Sequence, residues 1–257
     1  MKRLKLIPAK HYQDYTKSQP ITIKKHLAKI RNHEINYGYA VSVSAVSSSQ
    51  IEGNIIDIDT YYKFSNTGMN VKTKAYREIK ALENAYNFAR EHALNEKNIL
   101  HCHKMVSETG IIEKKYRGKY RDKKVFVQSG NQIVYEGAKP DILEKEMEKL
   151  FKDIQLLKTR ELNLNQVFYY ASMIHLYFVL IHPFADGNGR TARLIEKWFL
   201  SHHIGSVAWL VNSEKLYLKR SKSYHKNINR VGENYSSIFP GNSIPFLKML
   251  PMALRQK

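Results

Sequence analysis

A single cysteine, Cys102, leaves the 257-residue chain unable to form an internal disulfide. A disulfide-stapled scaffold is excluded, and the usage fits a reducing compartment. Glycine and proline are also scarce, at twelve and seven residues, below the usual combined share of roughly 12%. A protein of sheets and tight turns needs both at its corners, so the shortage points to helices. No apolar run approaches the roughly 18 residues of a membrane span, and the start MKRLKLIPAKHYQDY lacks the apolar core of a signal peptide. The expectation is a soluble, cytoplasmic protein with no membrane partner. Hydrophobic content of 43% and charged content of 25% are ordinary for a folded domain, which excludes disordered and fibrous classes.

Acidic residues are few: 23 against 42 basic ones, a formal net charge of +19. The excess is spread through segments such as Lys114–Lys115, Lys123–Lys124 and Lys219–Lys222 rather than gathered in a tail. That distribution favours acidic partners or nucleotides over direct nucleic-acid binding.

Apolar spacing carries the rest of the fold. Residues 21–51 suggest two helices separated near Asn32–His33, and the serines of 42–49 interleave with Ala40, Val41, Val43, Ala45 and Val46 as in a packed helix. Ala75, Ile79, Leu82, Tyr86, Ala89 and Ala93 recur at steps of three and four, an amphipathic helix. A shorter helix is expected over 97–107. Val125–Val127 and Ile133–Tyr135 flank Ser129-Gly130-Asn131 and predict a small β-hairpin. Pro140-Asp141 opens a helix with Leu143, Met147, Leu150, Ile154 and Leu157 on one face. The stretch from Asn165 to Ile181 is apolar nearly all round and belongs at the centre of the fold, with Pro183 ending it. Further helices are expected from Asn188 and over 213–231. The fold class is all-α, a helical bundle with one small β-hairpin.

Chemistry concentrates in the loop between the two central helices, His182-Pro183-Phe184-Ala185-Asp186-Gly187-Asn188-Gly189-Arg190, followed by Thr191-Ala192-Arg193. Asp-Gly and Asn-Gly most often mark hairpins, but here helical patterns flank them. Gly187 and Gly189 let the backbone approach a ligand closely, and the helix that begins there offers free N–H groups and its positive dipole end. Arg190 and Arg193 stand three apart, on one helical face. Two arginines plus amides suit a polyphosphate, and Asp186 among them makes sense if Mg²⁺ accompanies the phosphates. His182 ends the preceding helix and is placed to take a proton.

The string matches every fixed position of the Fic family signature, His-x-Phe-x-Asp/Glu-Gly-Asn-Gly-Arg-x-x-Arg, and the resemblance extends over about residues 99–231. It implies a Fic-type helical fold whose hairpin is a flap that aligns the target segment, with Tyr120-Arg121 at its base. Most such proteins transfer AMP from ATP to a protein hydroxyl. The resemblance makes His182 the base, Asp186 the Mg²⁺ ligand, the backbone of Gly187, Asn188 and Gly189 an anion hole, Arg190 a phosphate ligand and Arg193 the γ-phosphate ligand. Phe184 would plug into the core, and Tyr224 would lie near the adenine and ribose or simply in the core. Upstream, Ser48-Ser49-Gln50-Ile51-Glu52-Gly53 resembles the family's inhibitory motif, Ser/Thr-x-x-x-Glu-Gly/Asn. Ser48, Glu52 and Gly53 would then form an N-terminal inhibitory element, Glu52 pairing with Arg193 in the γ-phosphate's place.

The chain so divides into an N-terminal helical region over 1–95 holding the inhibitory motif, a Fic core over 96–231 and a C-terminal helical extension over 232–257. The activity implied is that of a protein adenylyltransferase, with ATP as substrate, Mg²⁺ and a target protein carrying a Tyr, Ser or Thr hydroxyl. Transfer of another nucleotide, removal of AMP from a modified protein, and a non-catalytic nucleotide-binding module stand as alternatives. Self-modification on one of the seventeen tyrosines and homo-oligomer formation stay open. His101-Cys102-His103 has no partner cluster at ligand spacing and is expected to be a structural pair on a helix surface, as is His202-His203 at a helix end.

Overall fold

The computed structural model describes residues 9–31, 36–67, 73–109 and 113–255. Helices α1 (Ala9–Lys17) and α2 (Ile23–Arg31) lead to α3 (Tyr37–Ile51), which the Asn36 side chain caps by accepting from the Tyr39 N–H at 2.9 Å. The break expected near Asn32–His33 lies outside the described residues. Almost every side chain from Ala40 to Ser49 is buried, so the serine-rich stretch is a packed helix. Short serine side chains let neighbouring helices approach, and their hydroxyls meet charged partners: Ser42 donates to Glu83, and Lys197 Nζ reaches Ser44 Oγ at 2.6 Å.

Helices α4 (Ile58–Asn66), α5 (Lys74–Glu91) and α6 (Glu96–Ser107) follow, each started by an Asp, Thr or Asn cap. α5 ends at Glu91, two residues before Ala93, which lies exposed outside the stripe expected for it. The hairpin is present as β1 (Phe126–Ser129) paired antiparallel with β2 (Gln132–Glu136). It is the one sheet among the described residues. α7 (Pro140–Lys158) buries the apolar face its spacing predicts.

At the centre lie α8 (Leu164–Ile181) and α9 (Asn188–Ile204), packed against each other along their length. α8 begins with a capping box between Asn163 and Gln166. Contrary to the expectation that no run reaches a membrane span, α8 is long and apolar enough to cross one. The composition has another cause: 72% of the helix is buried inside the protein, so it is apolar because other helices surround it.

The single helix expected over 213–231 is two, α10 (Ser213–Lys219) and α11 (Ser221–Asn229), bent at Arg220 (φ −114°, ψ 35°). No proline or glycine marks the bend. The bend turns Tyr224 and Ile228 of α11 inward while α10 keeps Leu216 and Tyr217 in the core. Short helices α12 (Ile244–Leu247) and α13 (Met249–Met252) then lay Phe246, Leu247 and Leu250 over α8 and α10. One continuous core extends from Tyr15 to Leu254 and joins all three expected regions.

Candidate active site

α8 ends at His182, whose backbone is left-handed (φ 54°, ψ 60°), the one positive φ outside glycine among the described residues. Pro183 bars the right-handed region to the residue before it, and the loop needs the turn. Arg121 holds this geometry: its Nε donates to the His182 carbonyl at 2.7 Å and its Nη2 to the Ala138 carbonyl at 2.5 Å. The Arg121 N–H also donates to the Pro183 carbonyl at 3.0 Å. His182 Nδ1 lies 3.0 Å from the Val179 carbonyl. A carbonyl only accepts, so Nδ1 carries the proton and Nε2 keeps a free lone pair. Burial, opposed by the Val179 bond, pushes the ring's pKa down to about 4, which keeps it neutral around pH 7.

Phe184 is fully buried, as its plug role requires, and its ring stacks on His103 with centroids 3.5 Å apart. His103 is a site residue that sequence reasoning placed wrongly: it is buried, not on a helix surface. Gly118 N–H donates to its Nδ1 at 3.1 Å, so its Nε2–H donates to the Asp186 carbonyl at 2.9 Å and fixes the loop. Its position four after Ile99 and three before Val106, both buried, was the available signal. His101, by contrast, is exposed.

Asn188 latches the loop from inside. Its Nδ2 donates to the Phe184 carbonyl and its Oδ1 accepts from the Phe184 N–H, both at 2.8 Å. The first intrahelical bond of α9 is Thr191 N–H to the Gly187 carbonyl, so the N–H groups of residues 188–190 have no partner within the helix. Gly187 caps this end with φ 79°, where only glycine is relaxed. Arg190 Nη2 meets Asp186 Oδ2 at 3.1 Å, while its buried Nε has no protein partner. That orphan donor beside free helix N–H groups is a cradle for an anion.

Arg193 is fully buried and donates to α3 and α11. Its Nε bonds Ser48 Oγ (2.8 Å), its Nη2 the Ser48 carbonyl (3.0 Å) and Glu52 Oε1 (2.6 Å), and its Nη1 the Tyr224 hydroxyl (3.3 Å). Glu52 is the C-cap that follows α3. Asn54 N–H returns to the Ser49 carbonyl and Gly53 N–H to the Gln50 carbonyl, a Schellman turn that uses Gly53 at φ 92°. The turn aims Glu52 at the start of α9, where a Cβ on Gly189 would collide with its carboxylate. Burial raises the Glu52 pKa, but Arg193, with Arg190 and His225 behind it, holds it below the usual carboxylate range.

A cavity of about 110 Å³ opens here between the hairpin and α11, bordered by Glu52, His182, Gly189, Arg193, Tyr224 and Asn229. The site residues expected from sequence thus converge, though Tyr224 turns its hydroxyl inward to Arg193. The carboxylates are the less buried members, with side-chain exposures of 39% for Asp186 and 40% for Glu52. No group of three His, Cys, Asp or Glu among the described residues is placed to hold a metal. The half-exposed Asp186 carboxylate beside an anion cradle does fit Mg²⁺, which takes one or two protein oxygens and shares the rest with phosphates and water.

Such a fold and loop define a helical protein with an anion cradle at a helix N-terminus, beside a neutral histidine. Residues 93–200 match the model of the Fic/DOC family. It is 31% identical over 157 residues to the protein adenylyltransferase Fic of Nematostella vectensis, covering 58% of this chain and 34% of that protein. With the protein of the same name from Aedes aegypti it is 30% identical over 154 residues, 56% of this chain and 29% of that one. The chain so spans about a third of the length of these relatives. In fold it resembles a Fic family protein from Desulfovibrio desulfuricans G20, at TM-score 0.73 and 21% identity over 93% of this chain and 74% of that one. Fic-1 from C. elegans superimposes at TM-score 0.64 and 18% identity, over 97% and 71% of the two chains.

Proposed function

We propose that the protein transfers AMP from ATP to a hydroxyl of a target protein, and that Glu52 holds it inactive. The reading rests on the Arg193–Glu52 bond: a buried arginine in an anion cradle has taken the nearest carboxylate as its anion. His182 Nε2 accepts the proton of the attacking hydroxyl. The hydroxyl oxygen bonds the α-phosphorus, the α–β phosphoanhydride bond breaks, and pyrophosphate leaves. The α9 N–H groups and Arg190 neutralise the phosphates, and Arg193, once free of Glu52, meets the γ-phosphate. Asp186 would hold Mg²⁺, whose part is to neutralise phosphate charge when bound.

The test is incorporation of labelled AMP into protein, with wild type, Glu52→Gly, Arg193→Ala and the double variant. A bond to a charged group is worth about 1.5–3 kcal/mol, so Glu52→Gly should raise labelling at least about tenfold, and Arg193→Ala should cancel the gain. Equal labelling by wild type and Glu52→Gly would sink the inhibitory role. Glu52 kept ionised in the cavity of His182 also favours a second reaction, with water in the hydroxyl's place, that releases AMP from modified protein. Loss of label from an AMP-protein on adding wild type, but not Glu52→Gly, would reveal it.

A further inference from the structure

Behind Arg193 the fold buries ionisable groups that this transfer reaction does not use. His175 on α8, Glu196 on α9 and Tyr217 on α10 have no exposed surface, and Tyr224 on α11 has 2%. Starting from Arg193, Nη1 lies 3.3 Å from the Tyr224 hydroxyl, which lies 3.0 Å from His175 Nε2. His175 Nδ1 is in turn 2.8 Å from Glu196 Oε2, and the Tyr217 hydroxyl reaches the same carboxylate at 2.9 Å.

The ends of this chain fix its direction. Arginine only donates, and the Glu196 carboxylate already accepts from the Tyr217 hydroxyl. Arg193 therefore donates to the Tyr224 oxygen, Tyr224 O–H donates to His175 Nε2, and His175 Nδ1–H donates to Glu196. Each bond polarises the next, which makes the Tyr224 oxygen a stronger acceptor for the guanidinium. Packing leaves the members little freedom: the Tyr217 and Tyr224 rings stack at 4.8 Å, and Phe246 meets His175 edge-on at 5.1 Å.

The other anchors of Arg193, Ser48 and Glu52, both belong to α3. The Tyr224 bond is the one that stays with the core whatever α3 does. We propose that Tyr224, His175 and Glu196 are positioning residues, a directional relay that keeps the Arg193 guanidinium aimed at the γ-phosphate when Glu52 withdraws. The inference rests on the nucleotide-site reading above. It assigns the Tyr224 hydroxyl to Arg193 rather than to the ribose or base.

Calorimetric titration of ATP and ADP into the Glu52→Gly chain, with and without Tyr224→Phe, separates the possibilities. The relay acts through the terminal phosphate, so Tyr224→Phe should weaken ATP about tenfold, the size of one lost charged hydrogen bond, and ADP less than about threefold. Glu196→Gln, which keeps shape but offers an amide donor to His175, should shift the same ratio in the same direction. Thermal melts identify a variant that fails to fold, in which case the other variant decides. An equal change for ATP and ADP, or none for either, in the folded variants overturns the relay. If Glu52→Gly binds neither nucleotide, the reading of the site itself fails and the relay falls with it, a result visible before Tyr224 is altered.

Discussion

His182 keeps a left-handed backbone that costs about 1–2 kcal/mol because Arg121 ties its carbonyl and the next residue's to the base of the hairpin. The return is a ring whose one free nitrogen is a neutral base in the cavity. A positioned base is worth about 10²–10⁴-fold in rate and adds little to ground-state affinity. His182→Ala in the Glu52→Gly chain is therefore expected to lose transfer by that factor while nucleotide affinity stays nearly unchanged. Labelling kinetics beside calorimetry check both halves, and an unaltered rate would remove His182 from the chemistry. The tautomer was not legible in the sequence, since the Val179 carbonyl that sets it comes into reach only in the last turn of α8.

At the end of α3, a single glycine converts a helix terminus into an aimed carboxylate. A Cβ on Gly53 would meet no atom within 4 Å, so Gly53→Ala tests backbone conformation alone. At φ 92° the alanine costs about 1–2 kcal/mol, and the cheapest relief is to unwind the Schellman turn that presents Glu52. The expected outcome is a few-fold rise in labelling with the body of α3 still folded. Ser42 and Ser44 hold that body independently, through Glu83 and Lys197. A lower melting temperature with unchanged labelling would leave Gly53 a purely structural role.

Across the molecule, buried histidines tie stability to pH. His103, His182 and His203 are all pushed down to about 4, chiefly by burial, against an ordinary value of 6.5. Between those pH values the unfolded chain binds more protons than the folded one, so stability falls as pH falls through the window. Thermal midpoints should accordingly drop from pH 6.5 towards pH 4. His103→Asn, which cannot titrate, should shallow that slope while lowering the midpoint at pH 7, because the Asp186 carbonyl loses its fitted donor. A slope identical to wild type would show that His103 does not carry the linkage. Fully buried Lys197 and Glu214 pair with each other at 2.7 Å.

Local patterns settled most of the helices and the loop at 182–193, because apolar periodicity and cap residues act within a few residues. α7, α8 and the hairpin follow their spacing, and Phe184, Arg190 and Arg193 lie where their order in the loop puts them. The pairing of Glu52 with Arg193, 141 residues apart, was legible only through the family resemblance. The bend at Arg220 and the run from Arg193 to Glu196 had no local mark. The run depends on which polar groups the packed helices bring within hydrogen-bonding distance of one another. Periodicity tells which face of a helix turns inward, but a buried hydrogen bond is chosen by what arrives from another helix, and only the folded chain makes that choice.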